Sequence, residues 1–164
     1  QLELCAEGGI GRNSVAIHAL SERMIAEVLI EFGVVKLSLE EAVAKGIAGY
    51  FYPHGLGHHL GANVHDKGGQ MANAQGDRLA PPEKYPNLRA TAPIVANQIH
   101  TVEPGLYFIP AYLDKLKAGG YAQCINWRAV EDYTPYGGIR IEDNIILHPD
   151  NRLENLTRDA FAVE

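Results

Sequence analysis

"FYPHGLGHHLGANVHD", residues 51–66, holds four of the chain's seven histidines in a segment punctuated by glycine. Histidine is a frequent metal ligand and the usual acid or base near neutral pH. His54 and His58 stand four apart, the spacing of a helical metal-binding pair. Pro53, Gly55 and Gly57 argue against a helix, however, and there is no Glu at 55, so the HExxH zinc-protease motif is absent. The glycines instead point to a backbone that turns tightly or passes close to another backbone or a ligand. In "GANVHD", Asn63 and His65 share a face of an extended chain. Clustering makes His54, His58 and His65 the functional candidates. His59 points the other way from His58 and reads as a neighbour without a chemical role, while the isolated His18, His100 and His148 read as structural.

Outward from this segment, the carboxylates come next. Glu103 lies in "TVEPG", residues 101–105, at a strand end followed by a rigid turn, a setting that holds a side chain in place. Residues 98–109, "QIHTVEPGLYFI", read as two strands or an extended turn around Pro104-Gly105. "GGIRIEDNIILH", residues 137–148, is the clearest strand, with Ile139, Ile141 and Ile145 on one face and Arg140, Glu142 and Asn144 on the other. A carboxylate in mid-strand must be paired or bind a cation. Arg140 is the available ion-pair partner for Glu142, and a metal is the alternative.

The flanking segments are helical or looped. "RNSVAIHALSERMIAEVLIEFG", residues 12–33, is expected to form a helix capped by Asn13 or Ser14 and ended by Gly33. Ile17, Leu20, Met24, Val28 and Phe32 are its apparent buried face. Ser38 and Glu41 form a capping box that opens a short helix to about Lys45. "NWRAVEDY", residues 126–133, reads as another short helix. Residues 66–93 form a long loop rich in Gly, Asn, Asp and Pro, a length usual for functional or mobile loops. Leu2, Leu4 and Cys5 read as the tail of a helix, and residues after Pro149 as an exit turn with a short final segment.

The 164 residues suffice for one domain, and 46% hydrophobic with 21% charged residues is an ordinary globular composition. The net charge of −6 and pI near 5.6 disfavour nucleic acid and anionic membranes as partners. No apolar run approaches the roughly 20 residues of a membrane span. Cys5 and Cys124 do not look like a disulfide framework and read as reduced cytosolic thiols.

Taken in order, "PHGLGHHLGANVHD", "TVEPGLYFI" and "GGIRIEDN" resemble the metal-dependent aminopeptidase/prolidase family. "INWRAVEDYTPYGGIRIEDNIILH" and "LENLTRD" resemble its Xaa-Pro dipeptidase and organophosphorus acid anhydrolase subgroup. The resemblance implies an α+β, pita-bread (creatinase/aminopeptidase-like) fold: a mostly antiparallel curved sheet with helices on one face. Residues 1–164 would be a single domain, the second half of that fold. Two Asp, one His and two Glu hold two metal ions in the family. Here the resemblance implies His58, Glu103 and Glu142 as metal ligands and His54 and His65 as catalytic histidines. Arg89 would clamp a dipeptide carboxylate, and Arg140, beside the last ligand, is a further substrate-binding candidate. Hard oxygen donors with one imidazole suit Mn²⁺, with Co²⁺ or Zn²⁺ as substitutes.

The family's two aspartates lie eleven residues apart on an upstream hairpin. Asp66/Asp77 and Asp132/Asp143 have that separation here but unsuitable flanks, and are coincidences. The implied protein is therefore the C-terminal part of a cytoplasmic hydrolase that cleaves dipeptides ending in proline. The alternatives are a non-catalytic metal-binding or interaction module, or a parent acting on organophosphate triesters. A half-sheet exposes an edge and an apolar face, so a homodimer is expected. Ala92 stands where the family often has a second arginine, and His100 where it is usually apolar.

Overall fold

A computed structural model describes residues 10, 11 and 13–162. The helical reading of residues 2–5, and Cys5 with it, lie outside the described residues; Cys124 is a buried free thiol. The chain divides into two compact units. The first comprises the described residues up to Ala19, His54–Pro104 and the described residues from Ile141; the second comprises Leu20–Pro53 and Gly105–Arg140.

The first unit is built on a four-stranded antiparallel sheet. Its strands are β1 (His59–Leu60), β2 (Ile99–Val102), β5 (Asp143–Leu147) and β6 (Leu153–Asn155), in the order β1-β2-β5-β6. His59 pairs with His100, His100 with Ile145, and Ile145 with Asn155. The strand period of two therefore puts His59, His100 and Ile145 in one row. Val102, Ile145 and Leu147 pack with Ile17, Leu56 and Ile94 into the unit's apolar core. A terminal helix, α5 (Leu156–Phe161), is capped by Asn155, whose Oδ1 accepts from Arg158 N–H at 3.0 Å. Arg158 also forks onto Asp143, with Nε 2.8 Å from Oδ1 and Nη2 3.2 Å from Oδ2.

The second unit holds most of helix α1 (Ser14–Glu31), whose first turns belong to the first unit. It also contains α2 (Leu39–Ala44), α3 (Pro110–Leu116), α4 (Trp127–Tyr133) and the two-stranded pair β3 (Gly105–Tyr107) and β4 (Gly138–Arg140). Its core joins Ile25, Ala26 and Leu29 of α1 to Phe51, Phe108, Leu116, Ile125 and Val130. The capping signals behave as read. Asn13 Oδ1 accepts from Val15 N–H, Gly33 ends α1 at φ +68°, and Ser38 with Glu41 makes both bonds of a capping box. The "NWRAVEDY" helix forms as α4.

Two readings need correction. The buried face of α1 is Ile17, His18, Ser21, Ile25, Ala26 and Leu29, whereas Phe32 is 59% exposed. The helix is apolar on several sides, so more than one stripe satisfies a three-four spacing. Ser21 is small enough to meet Tyr52, hydroxyl to hydroxyl at 3.3 Å, and this selects the observed side. Second, "GGIRIEDNIILH" is not one strand. It breaks at Ile141–Glu142 into β4 and β5, so Ile139 and Ile141 are exposed while Ile145 is buried. The β2–β5 ladder ends at Val102–Asp143 and the β3–β4 ladder starts at Gly105–Arg140. Pro104, which has no N–H to donate, lies in the interval.

Candidate metal centre and anion cleft

The histidine segment runs alongside β2, and its glycines make this possible. A Cβ on Gly57 would land on the Thr101 carbonyl oxygen. This close approach lets Leu56 C=O accept from Glu103 N–H (2.7 Å) and His58 C=O accept from Thr101 N–H (2.9 Å). His58 N–H donates to Thr101 Oγ1 (2.9 Å), and Thr101 Oγ1–H in turn donates to Glu103 Oε1 (3.1 Å). One buried hydroxyl thus ties the main chain of His58 to the carboxylate of Glu103.

His58 Nδ1 lies 3.0 Å from the His59 carbonyl. A carbonyl only accepts, so Nδ1 carries the hydrogen and Nε2 is left to bind. Nε2 faces Glu103 Oε1 at 3.2 Å, with both residues buried. A neutral imidazole lone pair and a carboxylate oxygen repel at that distance. Either a proton on Nε2 or a shared cation must lie between them. Donors at about 2.1 Å from one ion, set roughly 100° apart, are themselves about 3.2 Å apart, so the pair fits a common metal.

Glu142 sits in the break between strands and is exposed. It is therefore not the mid-strand carboxylate expected, and Arg140, the last residue of β4, donates its Nε–H to Tyr107 OH at 2.7 Å. Continuing the β2–β5 register one step beyond Val102–Asp143 sets Glu142 opposite Glu103. Like charges directly opposite on paired strands are destabilising unless a cation separates them. Among the described residues, no three His, Cys, Asp or Glu side chains close around one point as they stand.

His65 is exposed and stacks edge-on against His58, ring centroids 4.4 Å apart. Desolvation first, then the Arg89 and His58 charges, lower its pKa from the ordinary imidazole value, while Glu103 and Glu142 pull it up. His54 directs Nδ1 at the Gly55 carbonyl, 2.8 Å away. Arg89 is exposed and lines a cleft of about 410 Å³ together with His65, Asp66, Lys67, Gln70 and Arg78. The structure therefore gathers His58, Glu103 and His65, and places Arg89 beside His65.

The remaining histidines lie in three settings. His148 Nε2 pairs with Glu154 (2.6 Å). His18 and His100 are buried, and burial lowers both to about 4, helped by His54 and Lys84 for His18 and by His59 and His58 for His100. His59 stacks on His100 at 4.2 Å between centroids. Thr101, Lys67 and Arg78 escaped the sequence reading. Thr101 was findable, because it lies two residues before Glu103 and so shares its strand face. Nothing local marked Arg78.

Residues 10–149 match the model of metallopeptidase family M24. A Xaa-Pro dipeptidase of Pseudoalteromonas translucida (strain TAC 125) is 52% identical over 143 residues, which are 87% of this chain and 32% of that protein. A Xaa-Pro dipeptidase of Shewanella frigidimarina (strain NCIMB 400) is 45% identical across all 164 residues, 37% of its length. The chain thus spans about a third of these curated relatives. Among solved structures, Escherichia coli aminopeptidase P in its low-pH form superposes with a TM-score of 0.64 at 25% identity, covering 96% of this chain and 29% of that one. Proline aminopeptidase P II from Yersinia pestis gives 0.60 at 28% identity, covering 92% and 27%. The α+β, pita-bread architecture expected from the motifs is the fold of these neighbours. By its sequence motifs, its fold and its match over most of its length, the chain belongs to metallopeptidase family M24.

Proposed function

We propose that this chain is the C-terminal part of the catalytic domain of a cytoplasmic Xaa-Pro dipeptidase, with His58, Glu103 and Glu142 contributing to a two-Mn²⁺ centre. The observation that supports this most is the buried 3.2 Å approach of His58 Nε2 to Glu103 Oε1 with Nδ1 already committed to a carbonyl. The register that sets Glu142 opposite Glu103 adds a second carboxylate to the same point of the sheet. When bound, such ions supply an acidified water and charge to steady an oxyanion. His65, whose pKa is lowered by desolvation and by the Arg89 and His58 charges, has a nitrogen to hydrogen-bond that oxyanion or pass a proton to the leaving nitrogen. His54, whose Nδ1 faces the Gly55 carbonyl, is the second catalytic histidine of this reading. Arg89 presents a planar donor fork to the substrate's free carboxylate, which restricts substrates to dipeptides. Arg140, held by Tyr107, is the second substrate-binding arginine of this reading. A homodimer belongs to it as well.

The test is titration calorimetry of the purified chain with Mn²⁺, with His58→Ala as control. Binding that is lost in His58→Ala supports the metal assignment. Binding unchanged by His58→Ala refutes it and favours a non-catalytic module, whereas one weak site or none means that the chain is half an active site whose function belongs to a longer protein.

A further inference from the structure

The cleft beside His65 carries more positive charge than one carboxylate clamp requires. Lys67, Arg78 and Arg89 all line it, against one acid, Asp66. Asp66 is already engaged: it accepts from Gly68 N–H (3.2 Å) and Asn63 N–H (3.4 Å), and these backbone bonds hold its carboxyl below the ordinary range. No carboxylate among the described residues pairs with Lys67, Arg78 or Arg89. At about 410 Å³ the cleft has the size of a small-ligand site.

Arg78 is moreover held in place. Its Nε–H donates to Gln70 Oε1 (2.9 Å), while Gln70 Nε2–H donates to the carbonyl of Leu88 (2.8 Å), the residue before Arg89. The main chain supports the same arrangement. Leu79 N–H donates to Gln70 C=O (2.8 Å), Met71 and Arg78 form an antiparallel bridge, and Thr91 Oγ1–H donates to Leu79 C=O (2.5 Å). A Cβ on Gly69 would strike the Arg89 carbonyl, so the Lys67–Gln70 turn lies directly against the Arg89 backbone. Gln70 therefore bridges the segments that carry the two guanidinium groups. Committing Nε to Gln70 leaves the terminal nitrogens of Arg78 to act on a ligand.

We propose that Arg78, oriented by Gln70, is a second specificity-determining guanidinium of this cleft, acting with Arg89 on the carboxylate end of a peptide substrate. The inference rests on the reading of Arg89 as the carboxylate clamp and adds the residue that shares the load. Gln70 is a positioning residue in this scheme, since it acts through Arg78.

The experiment is an NMR titration of the 164-residue chain, following the His65 ring and the backbone amides. Glycyl-proline is the probe, and glycyl-prolinamide its neutral counterpart. The chain is expected to prefer the free carboxylate by at least about tenfold, the scale of one charge-assisted hydrogen bond. Arg78→Gln should lose about tenfold for glycyl-proline and less than twofold for the amide. Gln70→Leu should lose a smaller amount in the same selective way, and Arg78→Lys should recover part of the loss. The amide spectrum of each variant reports whether its fold is kept. If Arg89→Gln loses carboxylate selectivity while Arg78→Gln stays within twofold of the parent, the Arg78 role is overturned and the Arg89 clamp stands. If neither variant loses it, or the parent chain shows no preference for the carboxylate, both are overturned.

Discussion

Replacing Gly57 by alanine should be the most damaging glycine-to-alanine change among the described residues. The added Cβ falls on the Thr101 carbonyl oxygen, which is backbone and cannot rotate away. Relief requires the 56–58 segment to move off β2. That movement stretches three hydrogen bonds at once: Glu103 N–H to Leu56 C=O, Thr101 N–H to His58 C=O, and His58 N–H to Thr101 Oγ1. At about 1 kcal/mol each, partly lost, plus about 1–3 kcal/mol of overpacking, the expected cost is roughly 3–5 kcal/mol. Set against a typical total of about 5–15 kcal/mol, this removes a large share of the stability. Urea unfolding followed by far-UV circular dichroism should show the midpoint falling by more than about 1 M, given slopes of about 1–3 kcal/mol per molar. Gly49→Ala is the control. Its Cβ would rest 3.5 Å from Glu22 Oε1, an ordinary contact, and stability should hold or rise slightly. A Gly57→Ala chain within about 0.5 kcal/mol of the parent would refute the close approach on which the site is built.

Thr101→Val, which keeps shape and removes the hydroxyl, should weaken Mn²⁺ binding about 10–100-fold in calorimetry, and Thr101→Ser should restore most of it. Stability should fall on acidification. His18 and His100 are lowered to about 4, so between pH 6.5 and 4 the unfolded chain takes up protons that the folded chain refuses. Unfolding free energies at pH 7 and pH 5 should differ by up to about 2 kcal/mol for each histidine, and His100→Phe should flatten that dependence. Arg158→Ala, which strands the buried Asp143, should cost about 1–3 kcal/mol in the same unfolding assay, reduced from a fully buried pair because Arg158 is 58% exposed.

What the sequence made legible was local chemistry. Asn13, Ser38 with Glu41, and Gly33 act through bonds within a few residues of themselves, and all behave as read. The family motifs brought His58 and Glu103 to one place because that meeting depends on the glycines and the "TVEPG" turn, both visible in the chain. The readings that failed depended on distant partners. Which side of α1 is buried was decided by Tyr52. Where the "GGIRIEDNIILH" strand breaks was decided on the opposite strand, at Pro104. The helix Pro110–Leu116 was not anticipated, since Pro110 at its start looks like a breaker unless the N1 preference is applied. Arg78 owes its place in the cleft to Gln70, which bridges it to Leu88 from a separate turn.

The fork of Arg158 on Asp143 has a consequence for how the molecule behaves among its own copies. β6 covers the outer edge of β5 only from Ile145 to Leu147. Beyond that point, helix α5 supplies the missing partners: Thr157 Oγ1 accepts from Asn144 N–H (2.8 Å), and Arg158 takes the carboxylate of Asp143. A six-residue helix has little stability of its own in water and persists by these attachments. It works as a seal on an open strand edge. Chains cut short before Leu156 would present an unpaired N–H and an unpaired acid next to Glu142, an invitation to strand-to-strand self-association. The last described helix therefore protects the solubility of the strand that leads into the candidate site.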